Sequence, residues 1–315
     1  MIAKFMLPGM YEHAESNLTF IKIMKEHPEW FRPNATIGAA YGNFQFCIFD
    51  GGRIFTEYRH TCREEVENIV RAYNNLGVPV RLVFTNPVLK EEHFKNRFGQ
   101  MVLEVCNNGM NEIVVNNPKF EAYLREHYPN FNYISSTTKC LNTPTLFKEE
   151  LEQDYHMICL DYNLNKNKKM LDSFAPEQRK KCEFLVNAIC PPGCPNRKEH
   201  YRLNGLFSLS YGKYFSTQDC PIITNTLHPT QCSSKNNLSP EEIYNEYVPQ
   251  GFENFKLEGR TLGVFENLCN YVKYMVKPEY QLFVLNLLLS EDVGKKVFTN
   301  DVIAITPMQP SRIRF

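Results

Sequence analysis

The chain has 315 residues, 35 of them basic and 35 acidic, with 43% hydrophobic and 22% charged residues. That is the make-up of an ordinary globular protein of one large or two ordinary domains, long enough to bury a sizeable core. Balanced charge argues against a polyanion as the main partner, because nucleic-acid binders usually carry a basic excess. No segment approaches the roughly 20 apolar residues of a membrane span, and Pro8 and Gly9 break the amino terminus too soon for a signal peptide. The expectation is a cytoplasmic protein with no membrane partner, its 11 cysteines reduced rather than paired in disulfides.

In chain order, short apolar runs alternate with longer amphipathic ones. Strands are predicted at 4–7, 36–41 with an extension through 44–49, 80–85, 112–115, 132–136, 156–161, 182–186 and 254–257. Helices are predicted at 14–26, 64–75, 91–107, 119–126, 146–152, 168–181, 240–248 and 262–276. Polar breaks such as Asn74 to Gly77, Asn107 to Gly109 and Pro129-Asn130 fall where those helices should stop. Strand and helix alternating through eight units predict a (β/α)8 TIM-type barrel over residues 1–278. Residues 279–315 should form a further helix at 280–289 and an extended tail, packed on the barrel or trailing from it.

Between strands seven and eight, from Ile189 to Leu238, no regular pattern shows beyond a short helix opened by Cys194-Pro195. A connection of that length is usually functional or disordered. It carries Cys190-Pro-Pro-Gly-Cys194, then Cys220 and Cys232. Thiolates gathered on one loop select zinc or an iron–sulfur cluster over magnesium or calcium. The spacing is not that of a zinc ribbon, and free cysteines that simply pack as small apolar residues are the competing reading. In a barrel this loop lies at the carboxyl-terminal rim, where catalytic groups collect. Glu258 and Arg260, closing strand eight, would meet the cysteines there.

The end of strand eight, Phe255-Lys-Leu-Glu-Gly-Arg260, follows a helix and Gly251 and precedes a helix bearing Tyr271-Val272. Together with the cysteine-bearing loop it resembles the collagenase-like peptidase family U-thirty-two. The resemblance covers residues 182–276. It implies a barrel with a 4Fe-4S cluster held by Cys190, Cys194, Cys220 and Cys232, with zinc as the second choice of metal. It also implies oxygen-independent hydroxylation, or a related modification, of a small molecule or RNA. Alternatives are a peptidase-like hydrolase with a structural metal and a non-catalytic partner subunit. Where the family's strand-seven motif often has histidine and glycine, this chain has Val186-Asn187-Ala188. Cys47, after strand two, is the reserve ligand.

Each residue carries a bland reading beside its sharp one. Cys106, Cys159 and Cys182 lie within apolar patterns and read as core, while Cys62, Cys140 and Cys269 have no clustered partners. Glu258 could serve as a general acid or base and Arg260 could grip a carboxylate or phosphate, or the two could form a structural ion pair. Asn187 is the third candidate catalytic residue. Arg197 reads equally as a solvated residue or a ligand contact. His200 should pack beside Tyr201. Asn86, Asn116, Asn117, Ser135, Ser136, Asp161 and Asn163 are further strand-end candidates. The basic stretch from Lys166 to Lys181 reads as a solvated helix face.

Overall fold

The computed structural model describes residues 1–54, 61–213 and 235–290. Eight parallel strands close into a barrel in sequence order. They are β1 (Ala3–Pro8), β2 (Ala35–Gly42), β3 (Val80–Phe84), β4 (Glu112–Val115), β5 (Asn132–Ser135), β6 (Met157–Cys159), β7 (Cys182–Leu185) and β8 (Asn254–Lys256). Closure is made by β1 against β8, with Lys4 opposite Asn254 and Met6 opposite Lys256. The predicted strand extension does not form. Asn43 Oδ1 accepts the Phe44 amide at 3.0 Å, Phe46 adopts a φ of 63°, and the chain turns instead.

The helices are α1 (Ala14–Glu26), α2 (Arg63–Asn75), α3 (Glu91–Phe94), α4 (Arg97–Cys106), α5 (Pro118–His127) and α6 (Pro144–Leu151). After them come α7 (Lys168–Asp172), α8 (Pro176–Lys181), α9 (Arg197–Leu209), α10 (Pro240–Glu242), α11 (Val264–Met275) and α12 (Gln281–Ser290). Two predicted helices are each split in two. Asn96 caps α4 by accepting the Gly99 amide at 3.0 Å, so 91–107 breaks there. Pro176 cannot continue α7 and opens α8 instead. The basic stretch is divided accordingly, and Lys166 and Lys168 pair with Glu242 and Glu246 across to the turns that follow Ser239. The 13-residue α9 is longer than the short helix expected in the loop. No helix among the described residues is long and apolar enough to cross a membrane.

Alternation along each strand separates two cores. Outward residues such as Phe5, Phe184 and Phe255 stack with Tyr244, Tyr247 and Tyr274 beneath the helices. Inward residues Met6, Ala39, Tyr41, Val83, Val114, Ile134, Met157 and Cys159 fill the lumen as a separate cluster. Cys106, Cys159 and Cys182 are buried, in keeping with their reading as core. Helix α12 packs on the outside, with Val284 and Leu288 buried and Phe283 edge-on to Trp30 at 5.0 Å. The expected tail lies outside the described residues.

At the amino-terminal end of the lumen, branched aliphatic packing gives way to charge. Arg81 is fully buried, with Nε 2.6 Å from Glu112 Oε2 and Nη1 bonded to Glu183. Cys159 Sγ donates to Glu183 Oε1 at 2.8 Å. Burial opposes the Glu183 carboxylate, but Arg81 first and Lys256 next outweigh it and hold its pKa below the ordinary value.

Candidate functional site

At the opposite end, the carboxyl-terminal mouth holds a cleft of about 60 Å³. Its walls include Tyr41, Val83, Val114, Ser136, Leu185, Cys190 and Tyr201, with Lys256, Glu258 and Arg260 contributed by and just after β8. Cys190, Glu258 and Arg260, singled out from the sequence, therefore share one cleft.

Glu258 and Arg260 do not pair with each other. The Glu258 carboxylate meets the Arg53 guanidinium and also accepts the Ile189 amide at 2.9 Å. Arg260 Nη1 lies 2.7 Å from Asp50 Oδ2. Burial works against the Arg260 cation, yet Asp50 leads the interactions that outweigh it, and its pKa is raised. Both new partners come from the loop after β2. Between Glu258 and Arg260, a Cβ on Gly259 would run into Asn267 Oδ1 and come within 2.9 Å of Pro8 Cγ. Gly259 is there for close approach of the chain to α11.

Asn187 has a positioning role. Its Oδ1 accepts the Glu258 amide at 2.6 Å and its Nδ2 donates to the Glu258 carbonyl at 2.9 Å. The side chain thus imitates a peptide unit and carries the β7–β8 pairing one step beyond the strands, fixing where Glu258 points.

Cys190 and Cys194 span a turn on the rim. Gly193 takes a φ of 69°, and its amide donates to Asn163 Oδ1 at 2.9 Å. Tyr162 Oη donates to the Pro191 carbonyl at 3.2 Å. Both thiols are partly exposed. Asn163 Oδ1 also accepts from Asn236 Nδ2 at 3.2 Å, which ties the chain after the loop to the same turn. Cys220 and Cys232 lie outside the described residues. Among the described residues, no group of three histidine, cysteine or carboxylate side chains is placed to hold a metal. The turn carries two of the four cysteines that the U-thirty-two resemblance implies as ligands.

Cys47 does not fit as a reserve ligand. It is buried in the outer core, and burial pushes its thiol up to about 12, which disfavours the thiolate that metals bind.

Arg197 is neither solvated nor open to a ligand. It is 5% exposed, with Nη1 2.5 Å from Asp161 Oδ2, Nη2 2.9 Å from the Thr137 carbonyl and its guanidinium 4.5 Å from the Tyr162 ring. His200 does stack on Tyr201, with ring centroids 6.3 Å apart. Its pKa is lowered, by burial first and by Arg53 second. Of the other strand-end candidates, Ser136 lines the cleft, Asn117 caps α5 and Asn116 donates to Thr138 Oγ1 at 2.8 Å.

Asn86 clamps three segments: Nδ2 reaches the Ile48 carbonyl at 2.7 Å and that of Gly205 at 3.1 Å, while Oδ1 accepts the Val88 amide at 3.1 Å. A Cβ on Gly205 would collide with Asn86 Oδ1 and sit 3.0 Å from Val88 Cγ2. Because three hydrogen bonds fix Asn86, it cannot move aside. Gly205→Ala is therefore expected to destabilise the protein by about 1–3 kcal/mol, measured by urea denaturation, even though alanine is the better helix former.

Lys256, Arg53 and Asp50 were not singled out from the sequence. The signal for Lys256 was present, since a charge between Phe255 and Leu257 must face the lumen. Arg53 and Asp50 sit in a loop with no pattern to mark them.

The structure is similar to that of the U32 peptidase Mk0906, with a TM-score of 0.50 and 14% sequence identity, covering 82% of this chain and 93% of that one. The likeness is one of fold. It agrees with the barrel expected from the U-thirty-two resemblance at the end of strand eight. No family model and no curated protein matches the sequence.

Proposed function

We propose that this chain is an enzyme of the U32 type that holds a 4Fe-4S cluster through Cys190, Cys194, Cys220 and Cys232 at the mouth of the barrel. Its reaction is an oxygen-independent hydroxylation or related modification of a small molecule. The observation that carries this reading is that Cys190 lines the same cleft as Glu258, Arg260 and Lys256, with Cys194 on the adjoining turn. The tether from Asn236, bonded to that turn through Asn163, back to Cys232 is four residues, a reach of up to about 14 Å.

Such a cluster supplies electron transfer at a potential set by its ligands and exposure. The chain's own residues do the rest. Glu258 orients the start of the cysteine loop through the Ile189 amide and presents a carboxylate to the cleft. Arg53 and Asp50 hold Glu258 and Arg260 in place, and Tyr41, its hydroxyl donating to the Leu257 carbonyl at 2.6 Å, forms a fixed wall. Neutral overall charge favours a small molecule over RNA as substrate.

The test is iron and acid-labile sulfide content of anaerobically purified protein. About four irons per chain are expected in the wild type, with broad absorbance near roughly 400 nm, lost in Cys190→Ala and Cys194→Ala. Zinc in place of iron, or no metal in the wild type, would sink the cluster reading.

A further inference from the structure

Lys256 is the one lumen cation whose bonding the described residues leave incomplete. Its side chain is 10% exposed and it lines the cleft. The ammonium lies 4.2 Å from the Tyr41 ring centroid and 3.8 Å from Glu183 Oε1, an ion-pair distance too long for a hydrogen bond. Glu183 accepts its hydrogen bonds from Arg81 and Cys159 instead. Arg53 and Arg260 on the rim already face Glu258 and Asp50. The side chain is nearly buried, but the ammonium faces the cleft, so its three donors are directed to an acceptor that enters there.

We propose that Lys256 seats the carboxylate of a compact organic acid on the floor of the barrel mouth. A carboxylate offers two oxygens with about four lone-pair sites and forms charge-assisted bonds roughly twice as strong as neutral ones. Beside the ammonium the walls are apolar: Val83, Val114 and Leu185 face the short hydrocarbon part of the ligand, and Ser136 and Thr137 offer hydroxyls. A cleft of about 60 Å³ admits only a few heavy atoms. A doubly charged phosphate would need more than one cation left over, and the rim guanidiniums are already engaged. The inference rests on the mouth being the substrate site, and not on the iron.

The test is saturation-transfer difference NMR on the full chain with propionate, propionamide and inorganic phosphate as probes. Saturating the protein methyl groups should label propionate through Val83, Val114 and Leu185, and propionamide much less. Lys256→Met, close in length but uncharged, should weaken propionate about 10- to 100-fold. Propionamide binding as tightly as propionate would overturn the proposal, as would phosphate displacing propionate at lower concentration than propionate binds. Unchanged propionate binding in a folded Lys256→Met variant would overturn it too. If that variant fails to fold, the propionate-to-propionamide ratio in the wild type decides. Run on protein with and without bound iron, the experiment separates the two readings: propionate binding without any metal leaves this inference standing where the cluster falls, and iron-loaded protein that ignores propionate sinks this inference alone.

Discussion

Replacing Arg81 by methionine is expected to remove about 3–5 kcal/mol of stability, enough to take a large share of a typical domain's margin. Methionine roughly fills the space but leaves Glu112 and Glu183 facing each other in the lumen, 4% and 0% exposed, with their principal cation gone. Lys256, at 3.8 Å from Glu183, is too distant to replace two direct hydrogen bonds. The pH dependence should change as well. Glu183 has its pKa depressed in the folded protein, so its contribution is present above the unfolded carboxylate value of about 4.3 and is lost as pH falls through the folded value. Without Arg81, burial dominates and raises the Glu183 pKa, so that loss should begin at higher pH. Urea denaturation between neutral pH and about pH 4 reads both effects. A variant within about 1 kcal/mol of wild type, with an unaltered pH profile, would show that the lumen network does not hold the barrel.

The same network shows where sequence reading succeeds and where it stops. Strand existence was legible because residues such as Phe5, Phe184 and Phe255 belong to apolar runs bounded by turn residues, and all eight strands form near the expected bounds. The lumen was less legible. Arg81, Glu183 and Lys256 each interrupt an apolar run and Glu112 opens one, and period-two alternation assigns each to the inside, but only closure of the sheet reveals that they meet. At the mouth, Glu258 and Arg260 were legible from their place after β8. Their partners Arg53 and Asp50 were not, since they lie 210 or so positions away in an irregular loop whose conformation depends on turns such as Phe46. Asn187 was legible as a position and misleading as a chemical role, because its side chain serves the backbone of Glu258.

The second large effect concerns how the mouth is covered. Arg197 stands in the first turn of α9 and joins it to the ends of β5 and β6, through Thr137 and Asp161. Burial opposes its charge, but Tyr201 and Asp161 lead the interactions that raise its pKa, so it stays a cation. Arg197→Ala strands the Asp161 carboxylate, 1% exposed, without a counter-charge, at about 3–5 kcal/mol. The barrel closes without α9, so the loss should appear as local opening of that helix. Amide hydrogen exchange across 197–209 is expected to accelerate about 100-fold or more, while β3 and β4 keep wild-type protection. Arg197→Lys should not rescue it, because a single ammonium on a shorter reach cannot hold Asp161 and Thr137 in the same planar fork. Tyr201, which lines the cleft from α9, would move with the helix, so propionate binding should weaken in Arg197→Ala together with the exchange protection. Uniform acceleration through the strands would instead mean that α9 and the barrel unfold as one unit. In that case the site's cover would be part of the global fold rather than a separately stabilised element.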